Sequence, residues 1–176
     1  MAQYSRRGGF PSPKPKSWFL NEGRISAAGT LAADAQEVVI DAALEHPGTN
    51  EDYGPGALEG LRLTVQGEPG NTTMLTAPTM VVLLLKVGAA VPTVNTAATL
   101  KQAEDQVFLM GKAELAAQGS MAAGTVRPSW IYQANPRTSR RFERGDRLVV
   151  VVVNRDGGTW SNPHTYAWSI EGYAVG

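Results

Sequence analysis

The chain has 176 residues and 43% hydrophobic content, enough to fill the core of one domain, and it has no cysteine, which excludes disulfides, thiolate metal sites and a cysteine nucleophile. Its 16 basic and 16 acidic side chains cancel to zero formal charge, though they are unevenly spread. No apolar run approaches the ~20 residues needed to cross a bilayer; the longest, TMVVLLLKVGAAV, is interrupted by Lys86, so no membrane partner is expected.

The first 16 residues, MAQYSRRGGFPSPKPK, are rich in Gly, Pro, Ser and basic groups and lack the apolar centre of a secretion signal. They read as an extended arm ahead of a domain spanning residues 17–176. Arg6, Arg7, Lys14 and Lys16 make the arm basic, with no acid among them, and they are the candidate nucleic-acid-binding residues. Trp18, Phe19 and Leu20 stand just after it as a possible anchor.

Beyond the arm, short apolar runs alternate with turn marks such as HPGTN, GEPGN, RDGG and SNPH, the pattern of an all-β sandwich or barrel. In chain order the expected strands are 24–31 (the weakest), 36–43, 59–67, 79–87, 106–115, 128–133, 147–154 and 165–175. In 59–67, Leu61, Leu63 and Val65 alternate with polar residues, which predicts one buried and one wet face. TMVVLLLKV and RLVVVVVN are apolar on both faces and belong in central positions with both sides covered. Between strands, TAATLKQAEDQ at 96–106 predicts one short helix capped by Thr96 or Thr99. Asp156-Gly157-Gly158 predicts a tight hairpin that pairs 147–154 with the strand after it. The expected fold is an all-β, eight-stranded jelly-roll β-sandwich with a short helix in one connection and an extended N-terminal arm.

Charge segregates along this framework. Residues 22–59 hold Glu22, Asp34, Glu37, Asp41, Glu45, Glu51, Asp52 and Glu59 against Arg24 alone. Residues 137–147 hold Arg137, Arg140, Arg141, Arg144 and Arg147 against Glu143 and Asp146. Arginine forms bidentate contacts with phosphate or carboxylate and stays charged when partly buried. The five arginines are therefore candidate contacts at one end of the sandwich, either to phosphate or to the acidic stretch of another copy; the plain alternative is a solvated loop that its own acids partly neutralise. Nearby, Trp130, Tyr132, Phe142 and Trp160 have the chemistry to stack bases, but their apolar neighbours favour core packing.

Catalytic chemistry finds no support. His46 and His164 both sit in Pro-flanked, turn-like contexts and read as surface turn residues. GSMAAG does not match a nucleophile elbow, and neither a zinc nor a phosphate-loop motif is present. The acidic loop at Glu45, Glu51 and Asp52 lacks the order of a calcium loop, and Asn71-Thr72-Thr73 is read as a chance sequon. The sequence predicts no enzyme, no catalytic residue, no metal ligand and no cofactor.

The basic arm, the β-rich body, the phrase Phe142-Glu143-Arg144-Gly145-Asp146-Arg147-Leu148-Val149-Val150 and the late strand with Tyr166 and Trp168 together resemble a single jelly-roll capsid protein. The likeness is greatest to the coats of small circular single-stranded DNA viruses, with satellite-virus coats as neighbours. The resemblance implies a coat that assembles with copies of itself into an icosahedral shell around the viral genome, located in the virion. It also implies that the arm points inward to phosphate while loops make the subunit contacts. Arms of that family are commonly richer in arginine; four charges per subunit release few counterions, so binding here relies on many copies acting together. Two other readings are a monomeric β-sandwich binding module, for instance for carbohydrate, and an accessory phage protein that decorates a shell made by another protein.

Overall fold

The computed structural model describes residues 16–44, 56–70, 75–120, 125–136, 139–161 and 164–175. Among them are the strands β1 (Lys16–Ala27), β2 (Gln36–Ala43), β3 (Gly56–Glu68), β4 (Thr79–Leu85), β5 (Val107–Lys112), β6 (Glu114–Ser120), β7 (Thr125–Ala134), β8 (Arg140–Phe142), β9 (Arg147–Val153) and β10 (His164–Val175). One helix, α1 (Ala97–Gln102), interrupts the series between β4 and β5.

The strands form two antiparallel sheets packed as a sandwich. The larger has the order β1-β10-β3-β7-β6, with β8 pairing to the first residues of β3; the smaller has the order β2-β9-β4-β5. The pairings are nested. β1 pairs with β10, β2 with β9, β3 with β7 and β8, and β4 with β5, so the first half of the chain meets the second half in reverse order.

Side-chain period accounts for this layering. On β3 the alternation buries Leu61, Leu63 and Val65, none more than 1% exposed, and leaves the intervening polar residues on the outer face. On β9, Leu148, Val150 and Val152 enter the core between the sheets, while Val149, Val151 and Val153 are buried on the opposite face. That opposite face is covered by the connection after β4, through Val91, Val94, Leu100 and Ala103. The expectation of two central strands apolar on both sides is met by β9 and β4. α1 is shorter than expected and is capped as expected: the Thr96 hydroxyl accepts from the Thr99 amide, and Thr99 bonds back to the Thr96 amide.

Four expectations need correction. The run at 106–115 is two strands, because the chain leaves one sheet for the other at the buried Ala113, whose amide bonds Pro78 O at 3.0 Å. The run at 24–31 is the tail of a strand that begins at Lys16, with Leu31 reaching the sandwich through a lone bridge to Trp160. The expected eight strands are ten among the described residues, because the 106–115 run divides and β8, at three residues, is too short to show as a periodic run.

The fourth correction is the hairpin at Asp156-Gly157-Gly158, which does not form: β9 and β10 lie in different sheets, and neither glycine takes a positive φ. A polar knot directs the crossing instead. The fully buried Asn154 donates through Nδ2 to Leu31 O, Ala32 O and Gly158 O at 2.9–3.1 Å, and its Oδ1 accepts from the Asp156 amide at 2.9 Å. Asp156 Oδ1 in turn accepts from the amides of Leu75 and Thr76 at 2.9 and 3.2 Å. The two side chains thereby tie three loops together at one end of the sandwich, and the chain passes to the other sheet.

Candidate functional site: the arginine-bearing end

The other end of the sandwich carries those basic residues singled out from the sequence that are described, Lys16, Arg140, Arg141, Arg144 and Arg147. Lys16 of β1 is in register with Val175 of β10, Val175 with Ala57 of β3, and Ala57 with Arg141 of β8. One row across the larger sheet therefore joins the attachment point of the N-terminal arm to the arginine strand. Three inter-strand spacings separate them, about 14 Å. Arg6, Arg7 and Lys14 lie outside the described residues, as does Arg137.

The described arginines divide by what they touch. Arg147 is built into the fold: Nη1 donates to Asp41 Oδ2 of β2 at 2.6 Å and Nη2 donates to Ala89 O, which ties β9 to its neighbouring strand and to the loop after β4. Arg140 donates through Nη2 to Asp105 O beyond α1. Arg141 and Arg144 are exposed. Between β8 and β9 the chain turns with Phe142 buried below it, Gly145 at φ 82° and Asp146 only 1% exposed. Asp146 Oδ2 accepts from the Glu143 amide at 2.8 Å and from Lys86 Nζ at 3.1 Å. Hydrogen bonding to Asp146, with help from Glu143, raises the Lys86 ammonium above its ordinary value. Asp146 therefore acts mainly as a brace for the turn that presents Arg141 and Arg144.

The acidic stretch is partly consumed inside the same chain. Asp41 pairs with Arg147, Asp34 with Arg155 at 2.7 Å, and Glu37 with His164 at 2.7 Å. Glu45, Glu51 and Asp52 fall outside the described residues.

His164 overturns its sequence reading. It is 2% exposed and lies at the knotted end, with Nε2 2.7 Å from Glu37 Oε2 and Nδ1 3.2 Å from Ser161 O. Tyr166 OH donates to the same Glu37 oxygen at 2.7 Å, so this carboxylate of the smaller sheet bridges to two side chains of the larger one. Burial, reinforced by the bond to Glu37, pushes the Tyr166 phenol far up. Trp160 and Trp130 pack around the pair, with Trp160 edge-on to His164 and both indoles fully buried. The sequence carried a signal for this cluster: His164 continues the inward period of Tyr166, Trp168 and Ile170 by one step. Its partner Glu37 lies far away in sequence and gave none. His46 lies outside the described residues.

The aromatics Trp130, Tyr132, Phe142 and Trp160 are all core residues, none more than 6% exposed, as their apolar neighbours suggested. Among the described residues, no group of three His, Cys, Asp or Glu converges as a metal site. A shallow depression of about 210 Å³ on the polar face of the larger sheet is lined by Arg24, Gln66, Glu68, Thr165 and Ala167 among others. Searched against protein-family models the chain matches none, and no curated protein matches it.

Proposed function

We propose that this chain is a viral coat protein of jelly-roll type that assembles with copies of itself into an icosahedral shell around a genome. The observation that carries the reading is the nested pairing. The orders β1-β10-β3-β7 and β2-β9-β4-β5 make two four-stranded sheets between which the chain passes repeatedly, the connectivity expected of a jelly roll built from two Greek keys. β6 and β8 are additions at the margin of the larger sheet.

The charge arrangement supports a phosphate-facing role for the arginine end. Asp34, Glu37 and Asp41 already have partners in their own chain, which leaves fewer acids for a neighbouring copy to offer Arg141 and Arg144. The segment carrying Arg6, Arg7 and Lys14 is attached in the same row of the sheet as Arg141. Arg141 and Arg144 place basic groups at that end, and a shell multiplies them by its copy number. A carbohydrate-binding module has less support, since Trp130 and Trp160 are fully buried and Trp168 is half-buried.

The test is size exclusion of the full chain with light scattering, then negative-stain microscopy of any large peak. Closed, uniform particles whose absorbance at 260 nm falls when Arg141 is changed to Glu fit the proposal. A well-folded monomer of 18.7 kDa at every salt and protein concentration overturns it.

A further inference from the structure

The larger sheet ends at β1 in the longest regular edge of the sandwich; the edge strand β6 at its other side is also paired without a shift, over the shorter span Glu114–Ser120. β1 runs from Lys16 to Ala27 and pairs with β10 through 12 consecutive residues without a shift in register. The edge strand β2 carries an irregularity between Val38 and Ile40, and the pairing of the edge strand β5 is irregular opposite Val82 and Leu83. Such irregularities blunt an edge against further pairing, as do prolines. β1 has neither, and among the described residues nothing pairs with its outer side.

We infer that β1 pairs edge to edge with β1 of a second copy, antiparallel about a two-fold axis at Gly23. In that register Glu22 of each copy lies opposite Arg24 of the other, because a two-fold contact repeats every pair twice. Both side chains are exposed, and both stand on the outer polar face beside β10, where Ser169 Oγ donates to Glu22 Oε1 at 3.3 Å. The sequence of the edge is therefore self-complementary in charge about its own centre. On the inner face Asn21 of one copy meets Ile25 of the other; Ile25 is 43% exposed in the single chain and gains cover.

The glycine at the centre has its own physical reason. A Cβ at Gly23 would stand 2.3 Å from the Trp168 ring, so the indole lies flat across the edge strand and donates through Nε1 to Asn21 Oδ1 at 2.8 Å. Across the axis the second Trp168 lies over its own Gly23. The two ring edges then approach to about one strand spacing, ~5 Å, and turn a half-buried aromatic into part of a joint. Main-chain hydrogen bonds between the edges supply the attraction, and the paired charges select this register over slipped ones.

The pairing specifies one contact of the proposed shell and rests on that reading for its place in a particle. Its test separates the two. Glu22→Arg and Arg24→Glu are made singly in the full chain, and association is followed by sedimentation velocity and Trp fluorescence. Each change alone places two like-charged pairs across the axis, and the dimer dissociation constant is expected to rise about tenfold or more. An equimolar mixture of the two variants restores opposite charges in the mixed dimer and is expected to recover wild-type association, which a merely structural defect would not do. Single variants that associate like the wild type, or a mixture that does not recover, overturn the inference. So does exchange protection, in dilute monomer, of those β1 amides that face away from β10, which would assign the edge to another segment of the same chain. Intact particles from both single variants would sink the pairing and leave the coat reading standing; β1 dimers that never build particles would do the reverse.

Discussion

The two ends of the sandwich use polar residues in opposite ways. At the knotted end Asn154, Asp156 and His164 are buried, and their side chains bond to backbone or to another side chain of the same molecule. At the arginine end one carboxylate, Asp146, is buried as a brace, while Arg141 and Arg144 stand exposed above it. Buried polar groups cost stability unless satisfied, and once satisfied they fix a unique arrangement. Exposed charged side chains contribute little to folding. One end therefore determines how the chain crosses between sheets, and the other sets the charge that the surface presents.

The largest effect should come from the knot. Asn154→Ala strips three backbone carbonyls and one amide of their buried side-chain partner; it should cost about 3 kcal/mol, read as a lowered urea midpoint. An unchanged midpoint would show that water replaces the side chain. Next comes Gly67→Ala, since the added Cβ would stand 2.2 Å from the ring of the buried Trp130. A loss of about 2 kcal/mol is expected there, and about half as much for Gly23→Ala, where Trp168 has solvent to move into. Equal losses at both glycines would mean that the edge is as tightly packed as the core.

The arginines sharpen the contrast. Arg147→Ala breaks the bond to Asp41 and the bond to Ala89 O, and should cost about 1–2 kcal/mol in thermal melts. Arg141→Ala should stay within about 0.5 kcal/mol; the coat-protein proposal expects its effect in the nucleic-acid content of particles instead. The smallest effect is pH-linked. Tyr166 keeps its proton in the fold because its phenol is raised, so the native state holds one more proton than the unfolded chain once pH passes the ordinary tyrosine value of 10.0. Stability from this group is complete below that value and falls as pH rises beyond it. Tyr166→Phe should flatten the decline in melting temperature between pH 9 and pH 11, a range set by the ordinary phenol value of about 10. A decline of the same slope would assign it to other groups.

Much of this architecture was legible because strand periodicity is local. The alternation of Leu61, Leu63 and Val65 and the two-sided apolar runs of β4 and β9 reappear unchanged in the burial pattern. Thr96 as the cap of α1 was likewise a local choice between two threonines. Asp156-Gly157-Gly158 misled for the same reason: a turn signal tells that the chain bends, and says nothing of which sheet it bends toward. The candidate site was legible only as composition. The five clustered arginines were visible, but that Arg147 belongs to Asp41 while Arg141 faces outward depends on a register set by residues about 100 positions away.

By itself the sequence determined the all-β class, the core faces of β3, β4 and β9 and the helix cap, since each follows from side-chain type and a period of two or 3.6 residues, and its composition excludes cysteine chemistry. Only the tertiary structure decided the nested pairing, the burial of His164 against Glu37, and the row that sets Lys16 beside Arg141. Those depend on contacts between segments far apart in the chain, where hydrogen bonding and burial across the sheets select one arrangement from several that the local pattern allows equally.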